Sequence, residues 1–254
     1  MSNYLLYSDS TSTTGRNLLE ALQEQGVNIK GGSKIPSTAP DRLIRWGCAT
    51  LLGKGKGNPG KVFNTAKAIE LASNKLKALE VMKAADIRVP NVYTINQVKP
   101  EDFPVLGRKV HHIAGNDIVL CLQKVDLTEA VNQCGCSYFT KYIPTAVEYR
   151  IHVFGDQVIK TSQKVLTQPE LNKDPWIRNF DEGYTFHSPS QKLPSMTKML
   201  AVAAVESLGL TFGAVDIVVG DDGKSYVLET NTAPGLQADS SISVYVEKFK
   251  AALS

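Results

Sequence analysis

The segment Gly213-Ala214-Val215-Asp216-Ile217-Val218-Val219-Gly220-Asp221-Asp222-Gly223-Lys224-Ser225-Tyr226-Val227-Leu228-Glu229-Thr230-Asn231 sets acidic and amide side chains inside two β-prone runs. Asp222-Gly223 is a preferred two-residue hairpin loop. Pairing outward from it puts Asp221 opposite Lys224, Val219 opposite Tyr226 and Asp216 opposite Glu229, with Cβ atoms about 5 Å apart. Asn231, two residues on, falls on the same face as Glu229. Like charges directly opposed destabilise a sheet unless a cation lies between them or one takes a proton. Two carboxylates and an amide oxygen are hard donors that suit Mg²⁺ or Mn²⁺, and Mg²⁺ completes its shell with water and substrate phosphates. The expected chemistry is therefore metal-assisted handling of a nucleoside triphosphate. The competing reading, a solvated hairpin with incidental acids, leaves unexplained the apolar Ile217, Val219, Val227 and Leu228 that flank both carboxylates.

A second phosphate candidate fails on its own residues. Gly55 to Lys61 matches G-x-x-x-x-G-K, but Val62 stands where a Ser or Thr hydroxyl should reach Mg²⁺. Pro59 also removes an N–H from a cradle that works through backbone N–H groups. His111-His112 are poor metal ligands, because neighbours on a strand point to opposite faces. Cys48, Cys121, Cys134 and Cys136 contain no C-x-x-C pair, so reduced structural thiols are expected.

These candidates need elements to hold them. Tyr4 to Tyr7 reads as a strand, Ser8 to Thr14 as a capping loop, and Asn17 to Gln25 as a helix with Leu18, Leu19 and Leu22 on one face. Leu43 to Trp46 reads as a second strand. The pattern from Val62 to Ala85 is helical, with Asn74-Lys75 opening an amphipathic turn through Leu76, Leu79 and Met82. Strands are expected at Phe103 to Val110, Ile118 to Gln123, Tyr138 to Ile143, Tyr149 to Phe154 and Gln157 to Val165, the last two joined by a tight Gly155-Asp156 turn. Ser195 to Leu208 reads as a helix stopped by Gly209.

Composition narrows the class. The chain has 254 residues, 43 % of them hydrophobic, enough for a sizeable core without disulfides or metal. A net charge of +3 lacks the basic excess of a nonspecific nucleic-acid coat, so nucleic acid is not an expected partner. No apolar run reaches the roughly 18 residues of a membrane span, and Met1 to Asp9 lacks a signal-peptide pattern. A cytoplasmic protein is expected.

In type and order the residues resemble the ATP-grasp carboxylate–amine ligases, in particular the branch that includes the ligases adding glutamate to a ribosomal protein. The resemblance runs from Asn74 to Leu236. It rests on the helix-start Lys75, Arg108 before the glycine-containing tip His111 to Asp117, Glu148-Tyr149-Arg150, Asp216 with Glu229-Thr230-Asn231, and the following Thr232-Ala233-Pro234-Gly235-Leu236. Arg45-Trp46-Gly47 is similar to a segment of phage members.

The resemblance implies an α/β (α+β) ATP-grasp fold: two α+β subdomains, 71–140 and 141–254, clasping ATP after a short α/β N-terminal domain, 1–70. It implies ATP and Mg²⁺ (or Mn²⁺), with Lys75 and Arg108 on the phosphates, Lys141, Tyr142 and Ile143 on the base edge, and Glu148 on the ribose hydroxyls. Asp216, Glu229 and Asn231 would ligate the metal. Arg150, Arg178 and Asn179 would act on the transferring phosphoryl group or the carboxylate. Two positions depart from the family pattern. Arg108 replaces the usual Lys, with Lys109 the alternative if the register slips, and Lys141 lies where an acid often receives the adenine amino group.

The implied reaction joins a carboxylate to an amine of an amino acid, peptide or protein through an acyl phosphate, giving ADP and phosphate. A kinase of the same fold that phosphorylates a hydroxyl, and a nucleotide-binding module without turnover, remain open. The short N-terminal segment would leave part of the substrate pocket to a large partner or to a second subunit of a homo-oligomer.

Overall fold

The computed structural model describes residues 1–9, 11–53, 57–110, 118–236 and 239–254. The expected hairpin tip His111 to Asp117 and the start of the rejected Gly55 to Lys61 loop, Gly55 and Lys56, lie outside them.

The chain starts with β1 (Asn3–Tyr7), α1 (Thr13–Glu24), β2 (Ile29–Gly32), β3 (Arg42–Trp46) and β4 (Lys61–Phe63), which form a parallel sheet in the order β2-β1-β3-β4. Ser12 caps α1 by accepting from the Gly15 N–H. The helix expected from Val62 to Ala85 is instead the edge strand β4 followed by α2 (Ala66–Ser73) and α3 (Lys75–Ala84). Asn74 breaks the pair of helices: its side chain accepts from the Lys77 N–H, so one residue both ends α2 and caps α3.

A second, antiparallel sheet, in the order β5-β8-β6-β7, is built from β5 (Val92–Tyr93), β6 (Val105–Arg108), β7 (Val119–Cys121) and β8 (Tyr138–Lys141), with α4 (Lys124–Asn132) packed on it. Its small core holds Val105, Cys121, Leu127, Ala130, Cys136 and Phe139. None of the four cysteines is in a disulfide.

The largest sheet runs β11-β10-β9-β12-β13 and is antiparallel throughout. Its strands are β9 (Thr145–Phe154), β10 (Gln157–Leu166), β11 (Tyr184–His187), β12 (Phe212–Gly220) and β13 (Ser225–Asn231), with α5 (Ser195–Ser207) between β11 and β12 and α6 (Asp239–Leu253) last. Period-2 alternation gives this sheet two unlike faces. Tyr149, Ile151, Val153, Val215, Ile217 and Val227 pack on α2, α3 and α5 in the main core. The other face divides: at one end Phe212, with Tyr245 and Phe249 of α6, joins Leu18 and Leu22 of α1 and Trp46 and Phe63 of the N-terminal sheet in an aromatic core. Trp46 stacks on Phe212 at 5.4 Å and meets Tyr245 edge-on at 5.2 Å, contacts worth about 0.5–1.5 kcal/mol each beyond area burial. At its other end the same face is open and charged.

Candidate active site

Strand register builds the open end. Asp216 lies opposite Arg150 on one side and Glu229 on the other, so the three share one row. The next row joins Phe186, Lys164, Glu148 and Val218 across four strands. The facing of Asp216 and Glu229 is as the sequence predicts, but not for the predicted reason. The loop has three residues, closed by a Gly223 N–H to Gly220 C=O bond, with Gly223 at φ +74°, the turn plus left-handed residue of a three-residue hairpin. Val219 therefore faces Ser225 rather than Tyr226, and Gly220, not Asp221, meets Lys224. An extra residue at Leu228 then shifts the register back before Glu229.

The repulsion between the facing acids is relieved by the protein's own cations. Arg150 donates to both Asp216 oxygens, Nε and the terminal nitrogen each at 2.7 Å. Burial works against the guanidinium's charge, but Asp216 outweighs it and the Arg150 pKa rises. Lys75, the first residue of α3, pairs with Glu229, which also accepts from Asn231 Nδ2 at 3.1 Å. Burial would raise the Glu229 carboxyl; Lys75, Arg150 and Asn231 together hold it well below the usual carboxylate range. In the next row Glu148 is buried and paired with Lys164, yet desolvation still leaves its pKa raised. The Glu148 carboxylate thus faces an ammonium of its own chain at the position expected to meet a ribose.

A cleft of about 420 Å³ lies over these rows, within the usual range for small-molecule sites. Lys75, Arg108, Lys141, Tyr142, Ile143, Glu148, Arg150, Arg178, Asn179, Asp216 and Glu229 all line it; Asn231 stands just behind, against Glu229. Arg108, at the end of β6, lines it rather than Lys109, and its Nε donates to Thr140 Oγ1 at 3.1 Å. Lys141 turns its ammonium onto the Asp102 and Phe103 carbonyls, at 2.7 and 3.1 Å. The Lys141 and Tyr142 N–H groups are spent on the Asn91 and Pro104 carbonyls. Arg178 donates to the Thr145 carbonyl at 3.0 Å and lies over the Tyr184 ring, while Asn179 Oδ1 accepts from the Glu182 N–H. Lys61, the lysine of the rejected loop motif, sits on β4 over the Phe63 ring at 4.9 Å, away from the cleft.

Lining residues not singled out from the sequence include Lys164, Phe186 and Trp176. Phe186 lies against two cations, with Arg150 4.5 Å and Lys164 5.5 Å from its ring centroid. Trp176 Nε1 is buried with no hydrogen-bond partner among the described residues.

A small antiparallel sheet facing the charged end of a larger one, with cations from both around a phosphate-sized cleft, is an ATP-grasp arrangement, and the fold is α+β. The chain belongs to the RimK-like ATP-grasp domain family, whose model matches residues 68–248. It is 27 % identical over 205 residues to a Haemophilus influenzae protein named as a probable alpha-L-glutamate ligase, covering 75 % of this chain and 65 % of that one. The chain thus spans slightly under two thirds of that relative. It is 24 % identical to a Fusobacterium nucleatum D-alanine–D-alanine ligase, over 90 % of this chain and 85 % of the relative. In structure it is similar to the ATP-grasp ligase PsnB solved with a minimal precursor, at a TM-score of 0.70 and 14 % identity, covering 100 % of this chain and 99 % of the other. Among the described residues no helix is long and apolar enough to cross a membrane.

Proposed function

We propose that this protein is an ATP-dependent carboxylate–amine ligase that forms an amide through an acyl phosphate and releases ADP and phosphate. The observation that carries the reading is the charge of the cleft: six cations against three carboxylates, with the Asp216–Glu229 pair in the floor, in a chain of an ATP-grasp family. Phosphoryl transfer asks for positioning and charge neutralisation more than for covalent help. Lys75 at the start of α3 and Arg108 at the end of β6 supply the neutralisation from two sides. Among the described residues, the Ile143 N–H, beside the engaged amides of Lys141 and Tyr142, is the hinge donor left for a base edge.

The donor set fits a Mg²⁺ or Mn²⁺ ion. Asp216 and Glu229 offer hard anionic oxygens in register, each with lone pairs beyond its present cation contact, and the Asn231 amide adds a third oxygen. When bound, the ion supplies charge neutralisation at the phosphates. A triphosphate drawing Lys75 off Glu229 frees that carboxylate as it fills the cleft. Arg150, beside Asp216, and Arg178 then face the carboxylate that takes the phosphoryl group, and Asn179 adds a hydrogen-bonding amide. The named relatives support an amino-acid or peptide carboxylate as one substrate and an amine as the other.

The reaction is tested by trapping. With pooled amino acids, small carboxylates and peptides, ATP should give ADP and phosphate, and hydroxylamine should divert the acyl phosphate to a hydroxamate. AMP and pyrophosphate would move the protein to an adenylating class, and a stable phosphoester would make it a kinase. Binding of ATP with no acceptor-dependent hydrolysis would make it a binding module.

A further inference from the structure

We propose that Lys164 is a positioning residue for this reaction: its ammonium bolts the segment that carries Arg178 to the nucleotide wall at Glu148. The proposal rests on the ligase reading above. Residues 167–183 leave β10 and return into β11 as a closed loop. Its ends meet at Gly183, whose carbonyl accepts from the Thr167 and Gln168 N–H groups at 2.9 and 3.2 Å. Gly183 has φ +82°, and a Cβ there would lie 2.1 Å from the Gln168 carbonyl oxygen, so only glycine closes the loop this way. Within the loop Glu182 accepts from the Lys173 and Asp174 N–H groups, and Asn179 holds the Glu182 N–H. The loop is therefore bonded to itself and closed at its base.

Its middle is tied to the sheet face at Arg178. The Arg178 guanidinium reaches the Thr145 carbonyl, and the Arg178 carbonyl accepts from Lys164 Nζ at 2.8 Å. The same ammonium pairs with Glu148 and lies 5.5 Å from the Phe186 ring that also carries Arg150. Lys164 is largely buried, so its two oxygen partners fix it rather than water. One ammonium thereby joins a carboxylate on the nucleotide side to the backbone of the residue that faces the acceptor. Displacing a reacting group's support by about 1 Å can cost on the order of 10²-fold in rate. Lys164 needs no contact with either substrate to have such an effect.

The test uses Lys164→Met, the charge-free pair Lys164→Met/Glu148→Gln to guard against an uncompensated buried carboxylate, and Lys164→Arg as the conservative variant. Hydroxamate kcat should fall at least tenfold in the first two and recover in Lys164→Arg, with the Kd for ADP of Lys164→Met, which keeps Glu148, within about threefold of the parent. In an Arg178→Ala background Lys164→Met should add less than twofold, because both act through one group. Additive losses, or an ADP Kd that moves as far as kcat, would overturn the assignment. A readout without turnover separates this from failure of the ligase reading. Of the two tryptophans, Trp46 is fully buried and Trp176 belongs to the loop. Acrylamide quenching should therefore rise in both Met variants and return to the parent value in Lys164→Arg. Unchanged quenching in the Met variants would refute the bolt even in a protein that turns nothing over.

Discussion

Arg150 and His152 lie two residues apart on β9 and point to the same face of the five-stranded sheet, yet burial has opposite outcomes for them. Arg150 keeps its charge because Asp216 stands directly across with both oxygens. His152 is opposite Ala214 and packs on Tyr245, whose hydroxyl is 3.1 Å from Nδ1. Desolvation, with Arg150 and Lys160 nearby, pushes its pKa down to about 3, so it is neutral at ordinary pH. The aromatic end of this face joins the N-terminal sheet and α6, and the charged end is left for ligands. What separates the two halves is whether each buried cationic group has a counter-ion in the adjacent strand.

The strongest way to break this contrast is to remove the counter-ion. Asp216→Ala leaves a largely buried guanidinium unpaired and should cost about 3–5 kcal/mol in denaturant unfolding, as broken buried ion pairs do. Tyr245→Phe, which takes one hydrogen bond from the neutral half, should cost about 1 kcal/mol. Equal losses would mean that pairing is not what maintains the charged end.

The same rows show what the sequence could reveal. Asp216 and Glu229 were legible as a facing pair because two departures cancel: a three-residue loop moves the register one way, and the extra residue at Leu228 moves it back. In the neighbouring hairpin nothing cancels. Pairing outward from Gly155-Asp156 sets Gln163 opposite Glu148, but an irregularity between Val158 and Lys160 makes the partner Lys164. Glu148 could be picked out by its type, its ammonium partner could not. Alternation and caps gave β1, α1 and α5. They missed β2, β4, β5 and β11, too short to show a period, left α4 and α6 unread, and ran β4, α2 and α3 into one helix. The relief of the facing acids by Arg150 and Lys75 was also hidden, since it depends on β9 lying next to β12 and on α3 reaching β13.

Between the halves lies a test of which cations serve a ligand. Lys75 and Arg108 line the cleft, whereas Lys61 belongs to the aromatic end over Phe63. Lys75→Ala and Arg108→Ala should each weaken ATP by about 1.5–3 kcal/mol, the loss expected for one charged hydrogen bond. Lys61→Ala should leave the Kd, measured by calorimetry, unchanged. If Lys61→Ala lost ATP while the other two kept it, the glycine-rich N-terminal loop would replace the cleft as the phosphate site.

The last expected effect is confined to mild acid and sharpens the comparison at His152. An unfolded histidine takes its proton near pH 6.5, whereas the folded one resists until about pH 3. Between those values the unfolded state binds more protons, so His152 makes stability fall as pH falls, by up to about 1.4 kcal/mol per pH unit. Glu229, with its lowered pKa, adds its own loss only below the ordinary carboxylate range. Glu148, with its raised pKa, acts with the opposite sign above that range. Subtracting a non-titrating variant isolates the histidine, because both carboxylates remain in each protein. His152→Gln keeps a hydrogen-bonding side chain against Tyr245 and should flatten the pH dependence of unfolding free energy between pH 4.5 and 6.5, with little change at pH 8. A variant as acid-sensitive as the parent in that window would show that His152 is charged in the folded protein, and that the aromatic end tolerates a buried cation without a counter-ion.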